Sequence, residues 1–397
     1  MQKTVTEQIN KAYDVANHTT GRDSRFDMQY TPLVPSINLS SAHAYADEDS
    51  LAKYHENKME HHRYSRDSNP TVSQLEYLFS EVLESNAILF SSGMAAIWSI
   101  LWSVIEEVDS LATIGSFYRK TQTSLDELSA VARKPYDSYP DVDSFLRTAS
   151  DRKVLVHVES PSNPFLRIVD IREIRKRFPN AIIVYDNTLA GLLNDKTSDA
   201  DADFVVSSCT KYVGGHNDVI GGVVLTPHVS RMKRLWEIRS SQGGILDSLS
   251  GYLMLRSLKT YDARMSTIVS STAKAIDYLA SHRRIVEYYY PGSGRNADQA
   301  ELFSELYHNG AGVITFLVAE GVDLKGGLAK LHSTKMAPSF GSTDSLIERP
   351  ATMSHAGKSS EELAHLGLSM NHVRLSVGME PVEYILRDLD RLLGKST

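Results

Sequence analysis

Three short, almost unbroken apolar runs constrain the fold more than any other feature of this chain: Val154-Leu155-Val156-His157-Val158, Ala181-Ile182-Ile183-Val184-Tyr185 and Phe204-Val205-Val206. A strand with one wet face alternates apolar and polar residues. A run without alternation is buried on both faces, the mark of a parallel sheet between two helical layers. The stretches around the runs supply the helices. Thr71 to Leu83 carries Val72, Leu75, Leu78, Phe79 and Leu83 at helical spacing. Ala87-Ile88-Leu89-Phe90 then reads as a strand that ends in the turn Ser91-Ser92-Gly93 and leads into a helix over Met94 to Val104. Alternation of this kind predicts an α/β fold.

At 397 residues the chain exceeds one ordinary core. Residues 1–60 are polar and turn-prone and are expected to form an arm that packs on a neighbouring subunit. Residues 61–257 are assigned to a large domain and 258–397 to a smaller C-terminal one. The pattern from Ile245 to Ala280 reads as one long helix between them, and Ala311 to Val318 and Val373 to Val377 read as strands of the smaller part. With 42% apolar and 23% charged residues the composition is that of a globular protein, and a formal charge of -7 argues against nucleic acid as a partner. No run approaches the roughly 18 apolar residues of a membrane span. The first residues, Met1 to Glu7, do not resemble a signal peptide. The single Cys209 permits no intrachain disulfide, suits a reducing compartment and is expected to be a small buried hydrophobe. A cytoplasmic location is expected.

Ligands of an α/β sheet gather beyond the carboxyl ends of its strands, and four loops of this chain begin there. Ser91-Ser92-Gly93-Met94 is a strand-to-helix turn whose N–H groups can hold a phosphate. Glu159-Ser160-Pro161-Ser162-Asn163-Pro164 is a loop stiffened by proline that can aim the Asn163 amide. Asp186-Asn187 ends an apolar strand, where a carboxylate costs desolvation energy unless a cation or donor meets it. The last, Ser208-Cys209-Thr210-Lys211-Tyr212-Val213-Gly214-Gly215-His216-Asn217-Asp218, places a lysine directly after a buried strand. A lysine in a dry pocket has a lowered pKa and can act as a nucleophile or Schiff-base former. Taken singly, each loop has a plainer reading: a common small-residue turn, a capping Asp, a solvated lysine. The four in order favour a site.

Together with Tyr64-Ser65-Arg66 upstream and Arg374-Leu375-Ser376-Val377-Gly378-Met379-Glu380 downstream, these loops resemble the Cys/Met-metabolism family of pyridoxal-phosphate enzymes, which includes cystathionine γ-synthase, cystathionine γ-lyase and methionine γ-lyase. The resemblance runs over roughly residues 60–390. It implies fold type I, with a mostly parallel sheet in a large cofactor-binding domain and a smaller α+β C-terminal domain. The implied cofactor is pyridoxal 5'-phosphate, carried by Lys211 as a Schiff base. Asp186 would pair with the pyridine nitrogen and make the ring an electron sink. Tyr118 would stack on the ring and serve as a second acid/base. Asn163 would bind the phenolic oxygen. Ser208, Thr210 and the backbone of Gly93 and Met94 would hold the phosphate. Tyr64 and Arg66 would reach the phosphate of a neighbouring subunit. Arg374, helped by Ser339, would clamp the substrate α-carboxylate. The implied assembly is a homotetramer, a dimer of dimers with shared sites. The implied reaction is γ-elimination or γ-replacement on an amino acid bearing a γ-leaving group, a small-molecule substrate, passing through a β,γ-unsaturated ketimine.

Two stretches depart from the family pattern. Tyr118-Arg119-Lys120-Thr121 stands where Tyr-Gly-Gly-Thr or Tyr-Gly-Cys-Thr is usual, and Ser339-Phe340-Gly341-Ser342-Thr343-Asp344 where Ser-Leu-Gly-Gly leads to a Glu. Lys120 would add a cation beside the γ-substituent and favour an anionic leaving group, unless its stem lies on the surface with the head in water. This suggests an alternative, a specialised γ-lyase making an unsaturated amino acid from a γ-substituted, for example halogenated, substrate. An aminotransferase is a further reading. A non-catalytic scaffold is disfavoured by the joint presence of Lys211, Asp186, Tyr118 and Arg374. Adjacent His61-His62 point apart and predict no metal site, and the sequon Asn17-His18-Thr19 is read as chance.

Overall fold

The computed structural model describes residues 7–8, 33–56, 58–59, 61–148, 153–196 and 201–394. Most of the expected arm, including Asn17, lies outside them. The three apolar runs become β4 (Val154–Glu159), β5 (Ile182–Asp186) and β6 (Phe204–Ser207), adjacent and parallel. They form the middle of a seven-stranded sheet of order β1-β7-β6-β5-β4-β2-β3, completed by β1 (Asn86–Phe90), β2 (Ser110–Ile114), β3 (Tyr136–Tyr139) and β7 (Gly222–Thr226). Only β7 runs against its neighbours, pairing antiparallel with β1 and β6. Period-two alternation sends Val154, Val156, Val158, Ile183 and Tyr185 into one core and Leu155, Ile182 and Val184 into the other. Helix Pro70–Leu83 covers the first face; helices Gly93–Val104 and Val229–Gln242 cover the second.

The stretch from Ile245 to Ala280 is two helices rather than the one expected. Ser248–Leu258 starts at Asp247, whose side chain accepts from Ser250 N, and Tyr261–Ser281 starts after Thr260. Thr260 leaves helical geometry at φ -113°, ψ 13°, so the axis breaks although the apolar spacing continues through the turn. Tyr261, Met265 and Ile268 of the second helix pack on the large sheet, and Ala275 and Leu279 on a second sheet. That sheet has the order β11-β12-β13-β10-β8-β9 and is antiparallel except between β11 and β12. Its strands are β8 (Ile285–Tyr290), β9 (Ser293–Gly294), β10 (Val313–Val318), β11 (Lys335–Met336), β12 (Leu346–Glu348) and β13 (His372–Ser376). The C-terminal helix Val382–Leu393 closes it with Ile385, Leu389, Leu392 and Leu393. No described helix is long and apolar enough to cross a membrane.

Candidate active site

Parallel pairing puts Glu159 at the end of β4 directly beside Asp186 at the end of β5. Asp186 is 5% exposed, and its Oδ1 accepts from Thr188 N at 3.0 Å and Thr188 Oγ1 at 2.5 Å. Its Oδ2 receives no hydrogen bond from the described residues. Burial pushes the Asp186 carboxyl up to about 6 against the pull of Thr188. Glu159 is pushed well above the usual carboxylate range, by burial first and then by Asp186. Thr188 stabilises the Asp186 anion, and the backbone N–H of Tyr118 does the same for Glu159. Glu159 Oε2 also accepts from Tyr118 N at 2.8 Å, fixing the backbone where Tyr118 enters helix Arg119–Ala132.

After β6 the chain turns sharply. Lys211 N donates to Ser208 O at 3.2 Å, and Gly215 N to Lys211 O at 2.7 Å. Arg264, buried, donates to Tyr212 O at 2.8 Å, and Ser257 Oγ to Gly214 O at 2.6 Å. Gly215 has φ +67°, and a side chain there would strike the Arg264 guanidinium, so glycine is required on both counts. The turn presents Lys211 Nζ to Ser339 Oγ at 2.7 Å and leaves it 4.8 Å from the Phe340 ring centroid. Burial first, and the Arg374 cation second, pull the Lys211 amine down to about 8, while Glu348 opposes them. Ser339 sits at φ +92°, a conformation that costs about 1–3 kcal/mol in a non-glycine residue. Its carbonyl accepts from Arg374 Nη2 at 3.2 Å, and Arg374 Nη1 donates to Asn163 Oδ1 at 3.1 Å. Lys211, Ser339, Arg374 and Asn163 thus form one connected set across the two sheets.

A second set lies at the start of helix Gly93–Val104. Ser92 caps it, accepting from Ala95 N at 3.0 Å. A Cβ on Gly93 would lie 3.1 Å from Ser208 Cβ, and one on Gly222 would lie 2.7 Å from Gly93 N. The helix start, Ser208 and Gly222 are therefore in close contact, and Met94 follows in the first turn. Ser208 N donates to Thr188 Oγ1 at 2.9 Å, linking this end to Asp186. The Thr210 hydroxyl is engaged within its own loop, accepting from Gly221 N at 3.1 Å and donating to Gly221 O at 3.4 Å.

Other sequence candidates stand apart from both sets. Tyr118 is 47% exposed. Lys120 is exposed on the first turn of helix Arg119–Ala132. Arg66 donates to Ser240 O at 2.7 Å and lies 5.4 Å from the Tyr64 ring centroid. No hydrogen bond or ion pair joins Tyr64, Arg66 or Lys120 to the Lys211 set among the described residues. No described group of three or more His, Cys, Asp or Glu side chains is placed to hold a metal. Cys209 is buried, and burial raises its thiol pKa.

The model of the Cys/Met metabolism PLP-dependent enzymes matches residues 18–394. The chain belongs to that family. It is 32% identical over 348 residues to an L-methionine gamma-lyase of Fusobacterium nucleatum subsp. polymorphum, covering 84% of this chain and 86% of that one. It is 31% identical over 345 residues to a cystathionine gamma-lyase of Bacillus subtilis (strain 168), covering 84% and 88%. The crystal structure of cystathionine gamma synthase from Xanthomonas oryzae pv. oryzae in complex with aminoacrylate and cysteine superposes with a TM-score of 0.84 at 27% identity, covering 99% of this chain and 98% of that one. The protein is a pyridoxal-phosphate-dependent enzyme of fold type I, in a family of carbon-sulfur lyases and transferases.

The residues present fit that cofactor. Asp186 is a buried carboxylate with one oxygen that no described donor meets, which suits a protonated ring nitrogen. Lys211 is a buried amine of lowered pKa, and the close-packed start of helix Gly93–Val104 suits a phosphate. Sequence reasoning passed over Thr188, Glu159 as a partner of Asp186, Arg264 and Glu348. The Asp-x-Thr spacing signals Thr188, because a side chain bonding two residues on is a local motif. The other three depend on strand register or helix placement and leave no local signal.

Proposed function

We propose that the protein catalyses γ-elimination or γ-replacement on an amino acid bearing a γ-leaving group. The observation that carries this is the Lys211-Ser339-Arg374 set, which joins a low-pKa amine to a guanidinium suited to an α-carboxylate. The similarity to methionine and cystathionine γ-lyases supports the γ-position. Bound pyridoxal phosphate supplies an electron sink for the charge left when protons leave the substrate carbons. Lys211 Nζ would hold the cofactor, and its free amine would move protons at the substrate α- and β-carbons. The Asp186 carboxylate would keep the ring nitrogen protonated. Asn163 spends its Oδ1 on Arg374, so its amide N–H would be the group left to bind the cofactor's phenolic oxygen. Gly93, Met94, Ser208 and Thr210 would hold the phosphate, Thr210 only by giving up its bond to Gly221. Tyr118 would stack on the ring, and its phenol would serve as acid or base on the leaving-group side. Arg374 and Ser339 hold the α-carboxylate.

A second reading is favoured by one observation. Arg119 and Lys120 are both exposed in the first turn of the helix that follows Tyr118, where the helix dipole adds further positive potential. Such a site suits a leaving group that departs as an anion, and hence a specialised γ-lyase making an unsaturated amino acid. Homoserine esters, cystathionine, methionine and γ-halo amino acids, tested as a panel with products identified by mass, decide between the readings. Turnover of the γ-halo compounds alone supports the second; turnover of none at the γ-carbon contradicts both.

We further propose a homotetramer, a dimer of dimers in which Tyr64 and Arg66 complete the neighbour's phosphate site, within a cytoplasmic enzyme. Leu33 and Leu39, 90% and 79% exposed in the single chain, support an arm covered by another subunit. Inactive Arg66→Ala subunits mixed with inactive Lys211→Ala subunits are expected to regain partial activity. A monomer in solution contradicts the shared site.

A further inference from the structure

Arg374 is buried against a carboxylate for which the proposed reaction has no use. Antiparallel pairing sets Glu348 of β12 directly opposite Arg374 of β13, so the two side chains leave on the same face. Arg374 Nη2 lies 3.0 Å from Glu348 Oε1, with the side chains 5% and 1% exposed. Neither Glu348 oxygen has an aligned hydrogen bond from a described residue. Among the described residues its compensation is the charge of Arg374, whose aligned hydrogen bonds go to Asn163 Oδ1 and Ser339 O.

We propose that Glu348 is a positioning residue that holds the Arg374 guanidinium and sets how tightly the site takes the substrate carboxylate. The inference rests on the reading of Arg374 as the carboxylate clamp. A guanidinium has five N–H donors, and the bonds to Asn163 and Ser339 leave donors for an incoming carboxylate. The charge, however, is already shared. A second carboxylate on the same cation is attracted by Arg374 and repelled by Glu348, and both terms are strong in a site this dry. Glu348 therefore orients the clamp while weakening its grip, which lets substrate and product exchange. The same charge opposes the effect of Arg374 on Lys211, so Glu348 acts on both working cations.

The test uses the holoenzyme and two ligands that cannot bond to the cofactor through an amine, pentanoate and its neutral counterpart pentanamide. Their dissociation constants are measured by calorimetry. In Glu348→Gln, which keeps the shape and removes the charge, pentanoate is expected to bind about tenfold more tightly and pentanamide as in the parent. Glu348→Asp, which keeps the charge but withdraws it by one methylene, is expected to shift the acid-over-amide ratio about threefold in the same direction. It decides the matter if the Gln variant does not fold. Unchanged or weaker pentanoate binding, or an equal change for the amide, overturns the proposal. Arg374→Gln separates the two levels. If it keeps the parent's preference for the acid, the clamp reading fails and the inference with it. If it abolishes that preference while Glu348→Gln matches the parent, the inference alone fails.

Discussion

The ends of β4, β5 and β6 and the turn Ser339–Ser345 carry the two halves of the candidate site but are held in place by different means. At the strand ends, Glu159 and Asp186 are set by the ladder of a parallel sheet buried on both faces, and each strand enters its loop from a rigid core. In the turn, Ser339 is held at φ +92°, Ser342 Oγ donates to Asp344 O at 3.0 Å, and Thr343 N to Gly215 O at 2.9 Å. Glu380 accepts from Ser345 N at 2.7 Å and from Ser345 Oγ at 2.8 Å. The first region keeps the family pattern, and the second departs from it. On the proposed roles, the groups that would meet the cofactor are placed by the sheet, whereas those that would face the substrate sit on a turn. Asp344 illustrates this: it bonds Asn217 at 3.2 Å and pairs with Lys335 at 2.5 Å, so the shorter acid is accommodated by surface partners.

Changes on the cofactor side are expected to cost most. Lys211→Ala should lower turnover at least about a thousandfold, because the proton-moving amine is lost, and should remove the visible band of the bound cofactor. Activity of a few percent would remove the distinction between the two regions. Asp186→Ala should retain some cofactor yet slow exchange of the substrate α-proton by about a hundredfold, since an unprotonated ring is a poor electron sink. Exchange at the parent's rate would take Asp186 out of the site.

A smaller effect follows from pH. The free amine is the attacking form, and the Lys211 pKa is lowered from 10.5 to about 8. Uptake of the cofactor by the apo protein should therefore quicken as pH rises toward 8 and level off above it. A rate still climbing steeply at about pH 10, as for an ordinary lysine, would contradict the dry site. The smallest effect is expected on the substrate side. Lys120→Gly should slow elimination of anionic leaving groups by about fivefold, with cofactor binding unaltered. Identical rates across the substrate panel would make Lys120 a surface residue and sharpen the comparison in favour of the turn.

The same division explains what could be read in the sequence. The strands Val154–Glu159, Ile182–Asp186 and Phe204–Ser207 were legible because burial on both faces leaves an unbroken apolar run. Strand β3, Tyr-Asp-Ser-Tyr at the sheet edge, carries no such signal. The break at Thr260 was hidden because apolar spacing continued across it. The groups on Lys211 were recognisable as ordered motifs, but not the Ser339 hydroxyl as the partner of its amine, nor Glu348 behind Arg374. The contact of Glu348 with Arg374 arises from pairing between β12 and β13, and Ser339 sits in the turn before β12, both remote in sequence from the lysine. Thr210 shows the converse: its motif position suggested a phosphate ligand, and its hydroxyl here ties Gly221.

The central claim is that Lys211 is the residue that carries the cofactor. Borohydride reduction of the holoenzyme, followed by digestion and peptide mass analysis, tests it directly. The pyridoxyl mass is expected on the peptide that contains Lys211 and on no other. A label on a different lysine, or a fully reduced protein with no labelled peptide, would contradict the account.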